Sequence, residues 1–246
     1  MGLRLSLLVV ALAAWGATAV AQGQSAATMP AATTQPPAAL ATPDPKTDPF
    51  TQAAVPATEV AARVDKHYNK VHSLQLNFVE RYTGMGIQRT EQGTLLLKKP
   101  GFMRWTYTHP KGKLFVIDKH DAYAYTPGDA QAQRFPVERL DDLRSPLRFL
   151  LGKTELTREL SGLTVTTDGD RFNLRGVPVG MEKRVTSLEL TVTQGGMILA
   201  MRMTETGGAE TRFMFYGEND KVDISNSDFD FQPPTGVKVV DGLPPM

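Results

Sequence analysis

The sequence predicts a mainly β protein with a helical lid (α+β). One strongly curved antiparallel sheet of about 10–11 strands should curl toward an unclosed barrel or half-barrel. Three observations predict it. Between residues 74 and 240, short runs of alternating apolar and polar side chains are separated by Gly, Pro and Asp turns. The period lengthens to that of a helix at 58–73 and 138–151. Near the end, Phe229-Asp230-Phe231-Gln232-Pro233-Pro234-Thr235-Gly236-Val237-Lys238-Val239 places two rings on one face of an expected strand. Two prolines then stop the ladder and a glycine turns the chain.

The front of the chain, residues 1–21, reads as an export signal. Arg4 gives the positive start, residues 5–15 are nearly all apolar, and Ala19-Val20-Ala21 offers a small-residue cleavage site near Ala21. The apolar run is shorter than the roughly 20 residues a membrane-spanning helix needs. Residues 22–57 are mostly Ala, Pro, Thr and Gln. They bury too little to offset their ordering entropy, so a disordered linker, partly polyproline II, is expected. Residues 58–246 suffice for one domain with a real core. The chain has no cysteine, which excludes disulfides, thiolate metal sites and acylation on a lipobox cysteine. Its formal net charge is +1, and loss of Arg4 with the signal leaves 26 basic against 26 acidic side chains. That balance offers nucleic acid no electrostatic foothold. A soluble exported protein of the periplasm is the expectation.

Thr58 is placed to cap a helix over 58–73. Val60, Val64, Tyr68 and Val71 form its apolar stripe, opposite Glu59, Arg63, Lys66, His67 and Lys70. A strand over 74–82 follows, with Leu74, Leu76, Phe78 and Tyr82 on one face. Further strands are expected at 91–98, 102–108, 113–118, 121–126 and 131–137. Lys99-Pro100-Gly101, His109-Pro110-Lys111-Gly112 and Pro127-Gly128 punctuate them. At 138–151, Leu140, Leu143, Leu147 and Leu150 line one helical face, with a kink at Pro146 and a stop at Gly152. A short helical turn over 155–160 leads to strands at 163–167, 171–175, 185–193, 197–205 and 210–218, and 229–240 closes the set.

Catalytic constellations are sparse. His67 and His72 lie five apart and share no helical face, and His109 sits in a turn. With His120 they read as surface residues, not a zinc set. No Gly-x-Ser-x-Gly elbow occurs. Counted from Asp220, Ser225 and Phe231 fall where a calcium loop needs its Gly and its bidentate Glu. The glycine pairs open no helix, as a phosphate loop must. The expectation is a non-enzyme without cofactor or metal.

The strands carry more apolar side chains than one buried face requires. Leu95, Leu96 and Leu97 are consecutive, and Leu114-Phe115-Val116-Ile117, Met197-Ile198-Leu199-Ala200-Met201 and Phe213-Met214-Phe215-Tyr216 repeat the pattern. Two explanations stay open. One is a core filled on both faces under the helices, which the pattern alone favours. The other is an apolar cavity inside the curl, roofed by Leu140, Leu143, Leu147 and Leu150, with Met181, Met197, Met201, Met203 and Met214 as an adaptable wall.

Five segments are informative together: Val64-Asp65-Lys66 through Asn77-Phe78; Gly93 through Lys99-Pro100 to Trp105; the 118–125 hairpin; the leucine-rich stretch at Leu147, Phe149 and Leu150; and Phe229-x-Phe231-x-Pro233-Pro234-x-Gly236-Val237. In this order they resemble the outer-membrane lipoprotein carrier family of the periplasm, the LolA type. The resemblance covers residues 58–240. It implies an unclosed antiparallel barrel with a helical lid over an apolar cavity. It also implies a carrier that takes acylated lipoproteins from an inner-membrane ATP-driven release complex and hands them to an outer-membrane lipoprotein receptor. That receptor is itself a lipoprotein, so the missing cysteine favours the soluble carrier, expected as a monomer. Leu76, Phe78, Leu96, Trp105, Phe115, Leu140, Leu143, Leu147 and Leu150 would contact the acyl chains. The family holds its lid through backbone carbonyls with an Arg before the proline between strands two and three. Here Lys99 stands there, a point-charge donor rather than a planar fork. Arg104 is a candidate substitute. The alternatives are an envelope lipid or glycolipid binder of the same fold, or a hydrolase of envelope material.

Overall fold

The computed structural model describes residues 55–137 and 148–242. The expected signal, residues 22–54 of the expected linker, and Leu140, Leu143 and Leu147 lie outside the described residues. Helix α1 (Ala57–Tyr68) starts behind Pro56, whose φ of −61° suits a helix entrance. No side chain caps its first turn, so Thr58 does not serve as the cap. The helix buries Val60, Ala61, Val64 and Tyr68 and ends earlier than its apolar stripe implies. Asn69 exchanges side-chain hydrogen bonds with the backbone of Thr154, and from Ser73 the chain pairs as a strand.

A meander follows: β1 (Ser73–Gly84), β2 (Ile87–Lys98), β3 (Phe102–His109), β4 (Leu114–Asp118), β5 (Asp121–Tyr125) and β6 (Gln131–Pro136). A 3-10 turn (Arg148–Leu151) and the one-turn helix α2 (Leu156–Glu159) lead to a second meander. It comprises β7 (Leu160–Asp168), β8 (Arg171–Pro178), β9 (Val185–Thr193), β10 (Ile198–Glu205) and β11 (Glu210–Asn219). A second 3-10 turn (Asn226–Phe229) precedes β12 (Lys238–Asp241). Between the expected strands at 74–82 and 91–98, both strands run on and a two-residue hairpin joins them. Met85 and Gly86 have φ of 53° and 76°, the positive pair that matches strand twist, so β2 begins at Ile87.

All twelve strands form one curved, unclosed sheet in the order β12-β6-β5-β4-β3-β2-β1-β11-β10-β9-β8-β7. Antiparallel pairing of β1 with β11 joins the two meanders. The strand count exceeds the expected 10–11, and β12 lies parallel to β6, so the sheet is not wholly antiparallel. The expected strand over 229–240 is only partly realised. Phe229 ends a 3-10 turn closed by a Ser225/Asp228 capping box, and Pro233 and Pro234 have no N–H for a ladder. Only Lys238–Asp241 pairs.

Alternation sorts the apolar residues onto two faces. The inner face gathers Leu74, Leu76 and Phe78 of β1, Leu95 and Leu97 of β2, and Met103, Trp105 and Tyr107 of β3. Phe213 and Phe215 of β11, residues of β8–β10, α1 and Leu156 of α2 complete the cluster. On the outer face Val116, Ile224 and Phe229 pack with Leu96, Phe102, Leu114, Val222 and Phe231. The consecutive leucines therefore split: Leu95 and Leu97 point in, Leu96 points out. Apolar packing on both faces is present, and among the described residues the outer cover is the C-terminal segment with its 3-10 turn.

Two glycines mark close approaches. A Cβ at Gly196 would lie 2.2 Å from the Arg63 carbonyl oxygen, where the β9–β10 turn meets α1. A Cβ at Gly93 would lie 2.1 Å from the Thr106 carbonyl oxygen, where β2 meets β3. Gly93→Ala must push these strands apart and is expected to cost about 1–3 kcal/mol. A lower urea midpoint at unchanged slope checks this; an unmoved midpoint would show that the strands yield freely.

Candidate functional site

The inner face is centred on Phe78. Its ring lies 4.7 Å from Trp105, 5.1 Å from Tyr107 and 6.3 Å from Phe213, centroid to centroid. Trp105 and Phe213 are 5.4 Å apart, and Phe213 stacks at 5.9 Å on Phe215. Register explains the cluster. Leu76, Leu95, Trp105 and Phe115 stand opposite one another in sequence across β1, β2, β3 and β4. One step along, Phe78 faces Gly93, whose missing side chain lets the Phe78 and Tyr107 rings meet edge to face. The Trp105 indole N–H points at the Met103 sulfur at 3.1 Å, a weak acceptor.

Of the expected acyl-contacting residues, Leu76, Phe78, Trp105 and Leu150 belong to this buried cluster, and half-buried Phe115 packs against it. Leu96 does not. It pairs between Gln75 and Arg104 and faces outward, because one step along a strand reverses the side chain. Leu140, Leu143 and Leu147 lie outside the described residues. Tyr107, Phe213 and Phe215 join the site without having been singled out for it. Their alternation was visible in the sequence, but only the β1–β11 pairing puts Phe213 and Phe215 beside Phe78.

The two candidate latch residues separate. Lys99 Nζ donates to the Tyr68 carbonyl oxygen at 3.0 Å, at the C-terminus of α1, where carbonyls lack helical partners and the dipole favours a cation. The Lys99 backbone N–H donates to the His72 carbonyl at 2.8 Å, and that of Gly101 to Leu151 at 3.0 Å. The β2–β3 turn thus ties α1 to the 3-10 turn beside a surface cavity of about 440 Å³ bordered by Asn69, His72, Lys99 and Lys153. Burial lowers the Lys99 ammonium below the ordinary lysine range. Arg104 points outward instead. Its Nη1 donates to the carbonyls of Asp228 and Asp230 at 3.0 and 3.4 Å, so it holds the C-terminal segment and does not substitute for Lys99.

Charged groups also reach the inner face. Glu80 and Glu91 are buried and stand directly opposite across β1 and β2. Tyr107 donates its hydroxyl to Glu80 Oε2 at 3.0 Å, while Glu91 pairs with Lys113 and, at 3.0 Å, with Arg89. Elsewhere His67, expected as a solvated surface residue, lies 2.6 Å from Glu218, which also accepts from the Tyr68 hydroxyl at 3.1 Å. Among the described residues, no three His, Asp or Glu side chains converge as a metal site.

Burial, and then the neighbouring Glu91 charge, raises the Glu80 carboxyl above its ordinary value against the pull of Lys113. A carboxyl that binds its proton more tightly when folded stabilises the chain below its unfolded pKa, near 4.5, and loses that contribution as pH rises through the folded value. Glu80→Gln, which keeps an acceptor for Tyr107, is therefore expected to raise the melting temperature at neutral pH. The gain should fade as pH falls toward 4.5. A gain that does not vary with pH would show that the Glu80 charge is not its source.

Known proteins similar to this chain include lipoprotein carriers. An outer-membrane lipoprotein carrier protein of Chromobacterium violaceum is 25% identical over 190 residues, covering 77% of this chain and 91% of the relative. One of Nitrosomonas europaea is 25% identical over 176 residues, covering 70% of this chain and 84% of the relative. Among solved structures, a LolA superfamily protein of Nitrosomonas europaea aligns with a TM-score of 0.42 at 13% identity, covering 72% of this chain and 99% of that one. The family described as outer membrane lipoprotein carrier protein LolA matches residues 69–232, from the end of α1 through the segment that crosses the outer face. This chain belongs to the LolA family.

Proposed function

We propose that this chain is a periplasmic carrier that holds the acyl chains of lipoproteins against the inner face of its curved sheet. It takes them from an inner-membrane ATP-driven release complex and delivers them to an outer-membrane lipoprotein receptor. One observation carries this reading: in a chain of the LolA family, a continuous aromatic and aliphatic surface centred on Phe78 lines the inside of an unclosed sheet. Each buried methylene is worth about 0.8 kcal/mol, so a di- or triacyl anchor leaves a bilayer only for comparable apolar cover. Transfer toward the outer membrane then needs rising affinity along the route, with ATP consumed at the first step. Binding and release need no catalytic residue.

Phe78, Leu95 and Met103 are fully buried, so an entering tail displaces whatever covers them. The cover in this reading includes the 3-10 turn carrying Leu150, together with Leu140, Leu143 and Leu147. Lys99 stands at its edge, joined to α1. Residues 1–21 direct export, and residues 22–57 act as a spacer ahead of the folded domain, which works as a monomer.

Native mass spectrometry of the chain purified from the periplasm without detergent is expected to find an acylated protein bound. Free lipid or glycolipid alone would replace this reading with a lipid binder, and turnover of an envelope ester with no bound ligand would replace it with a hydrolase. Lys99→Met keeps the side-chain stem and removes the donor to the Tyr68 carbonyl, an interaction worth about 1 kcal/mol at a half-exposed position. Cargo release to an acceptor membrane is expected to quicken about fivefold, the rate equivalent of that loss. An unaltered release rate would remove Lys99 from the latch.

A further inference from the structure

On the first meander the inner face changes character at one level, while the second stays apolar there with Phe213, Met201 and Leu190. Along β1, Leu74, Leu76 and Phe78 are followed on the same side by Glu80, only 9% exposed. Opposite it on β2 stands Glu91, 4% exposed. On its other side Glu80 faces Phe213 of β11. From β3 the Tyr107 hydroxyl donates to Glu80 at 3.0 Å. Lys113, whose carbonyl accepts from the Tyr107 backbone N–H at 3.0 Å, pairs with Glu91 and places its ammonium 4.3 Å from the centre of the Tyr107 ring. Arg89 pairs with Glu91 from the next inward position of β2. Two carboxylates and two cations therefore form a polar layer on the first meander, one same-face step beyond Phe78 and level with Phe213 of β11. Past this layer the strands run out to an exposed hairpin tip, with Met85 61% and Ile87 40% exposed.

Acyl carriage by apolar contact does not call for this layer. Buried ionised groups are costly, and apolar replacements of similar shape are often as stable or more so. Burial raises the Glu80 carboxyl and the Tyr107 hydroxyl alike, which marks the layer as desolvated.

We propose that the Glu80, Glu91, Tyr107 and Lys113 layer is the polar floor of the acyl site and sets the longest chain that the inner face of the first meander accepts. This rests on the reading that the inner face holds acyl chains. A methyl end advancing beyond Phe78 meets the Glu80 carboxyl and the Tyr107 hydroxyl. Going further would break their hydrogen bond and bury the fragments without partners, a penalty no methylene offsets. Affinity therefore rises about fourfold with each added methylene until the tail reaches Glu80, then levels off.

The test uses the full mature chain and saturated fatty acids of increasing length as probes, with dissociation constants from displacement of a fluorescent fatty acid. Glu80→Leu/Tyr107→Phe removes both partners of the hydrogen bond and leaves Glu91 with Lys113 and Arg89. It extends the apolar surface by one same-face step of strand, about 7 Å. Circular dichroism checks that both proteins are folded. The wild-type chain should show the fourfold steps and then a plateau, and the double variant should move that plateau to longer acids by several methylenes. A plateau at the same length in a folded variant overturns the floor. If the double variant does not fold, Glu80→Met carries the test, with a smaller shift in the same direction expected and an unmoved plateau again overturning it. Absence of binding by the wild-type chain at every length would instead overturn the carrier reading on which the floor rests.

Discussion

The antiparallel pairing of β1 with β11 is the constraint on which the rest of the molecule depends. Each meander is built from neighbours in sequence, and hairpins of that kind form with little loss of loop entropy. The β1–β11 seam is different, because it brings residues of the first meander beside residues near the end of the second. Phe78 stands opposite Phe215, and Glu80 opposite Phe213. Without the seam there would be two half-covered sheets, each with an exposed apolar face and a bare edge. With it, the inner rows of both meanders become one surface, and the aromatic cluster, the helix packing and the setting of the Glu80–Glu91 pair all inherit their positions from that register.

The two faces of the sheet are finished by different means. Inside, α1 and α2 lie against the apolar surface at the second meander, and the β9–β10 turn approaches α1 so closely that only glycine fits at 196. Outside, the first meander is covered by the C-terminal segment. Lys98 and Arg104 hold it by its carbonyls, Phe229 lies 5.2 Å from Phe102, and Phe231 stacks at 4.9 Å on Tyr123. Cationic donors suit this task, because an irregular segment presents carbonyls that no ladder satisfies. The prolines that end the expected strand free the segment to cross the sheet instead of extending it, and the chain rejoins the edge only at β12.

Polar groups mark both limits of the inner face on the first meander. At one limit Lys99 satisfies a carbonyl at the end of α1, where the helix dipole adds to the attraction. At the other, the Glu80 and Glu91 carboxylates are balanced by Lys113 and Arg89. Between these limits the side chains are aromatic and aliphatic.

Much of this was legible in the sequence. Alternation and turn chemistry located the strands from 74 to 218 to within a few residues, the helical period located α1, and a short helical turn was expected where α2 lies. The spread of apolar residues over both strand faces indicated cover on both sides. Five segments carried the family. That Leu76, Phe78, Trp105, Phe115 and Leu150 pack in the inner cluster was recoverable because they lie on one parity of a strand or in an apolar run, and local pattern reports parity. What local pattern does not report is pairing between distant strands. The sequence could not say that Leu96 faces the C-terminal segment, that Arg104 holds that segment rather than a lid, or that Phe213 completes the site around Phe78. Nor could it say that Glu80 would meet Glu91 across a strand pair. Side-chain direction follows from a two-residue period written in the chain itself, whereas partners follow from register, and register is fixed only when the non-local seam and the packing on both faces are satisfied together.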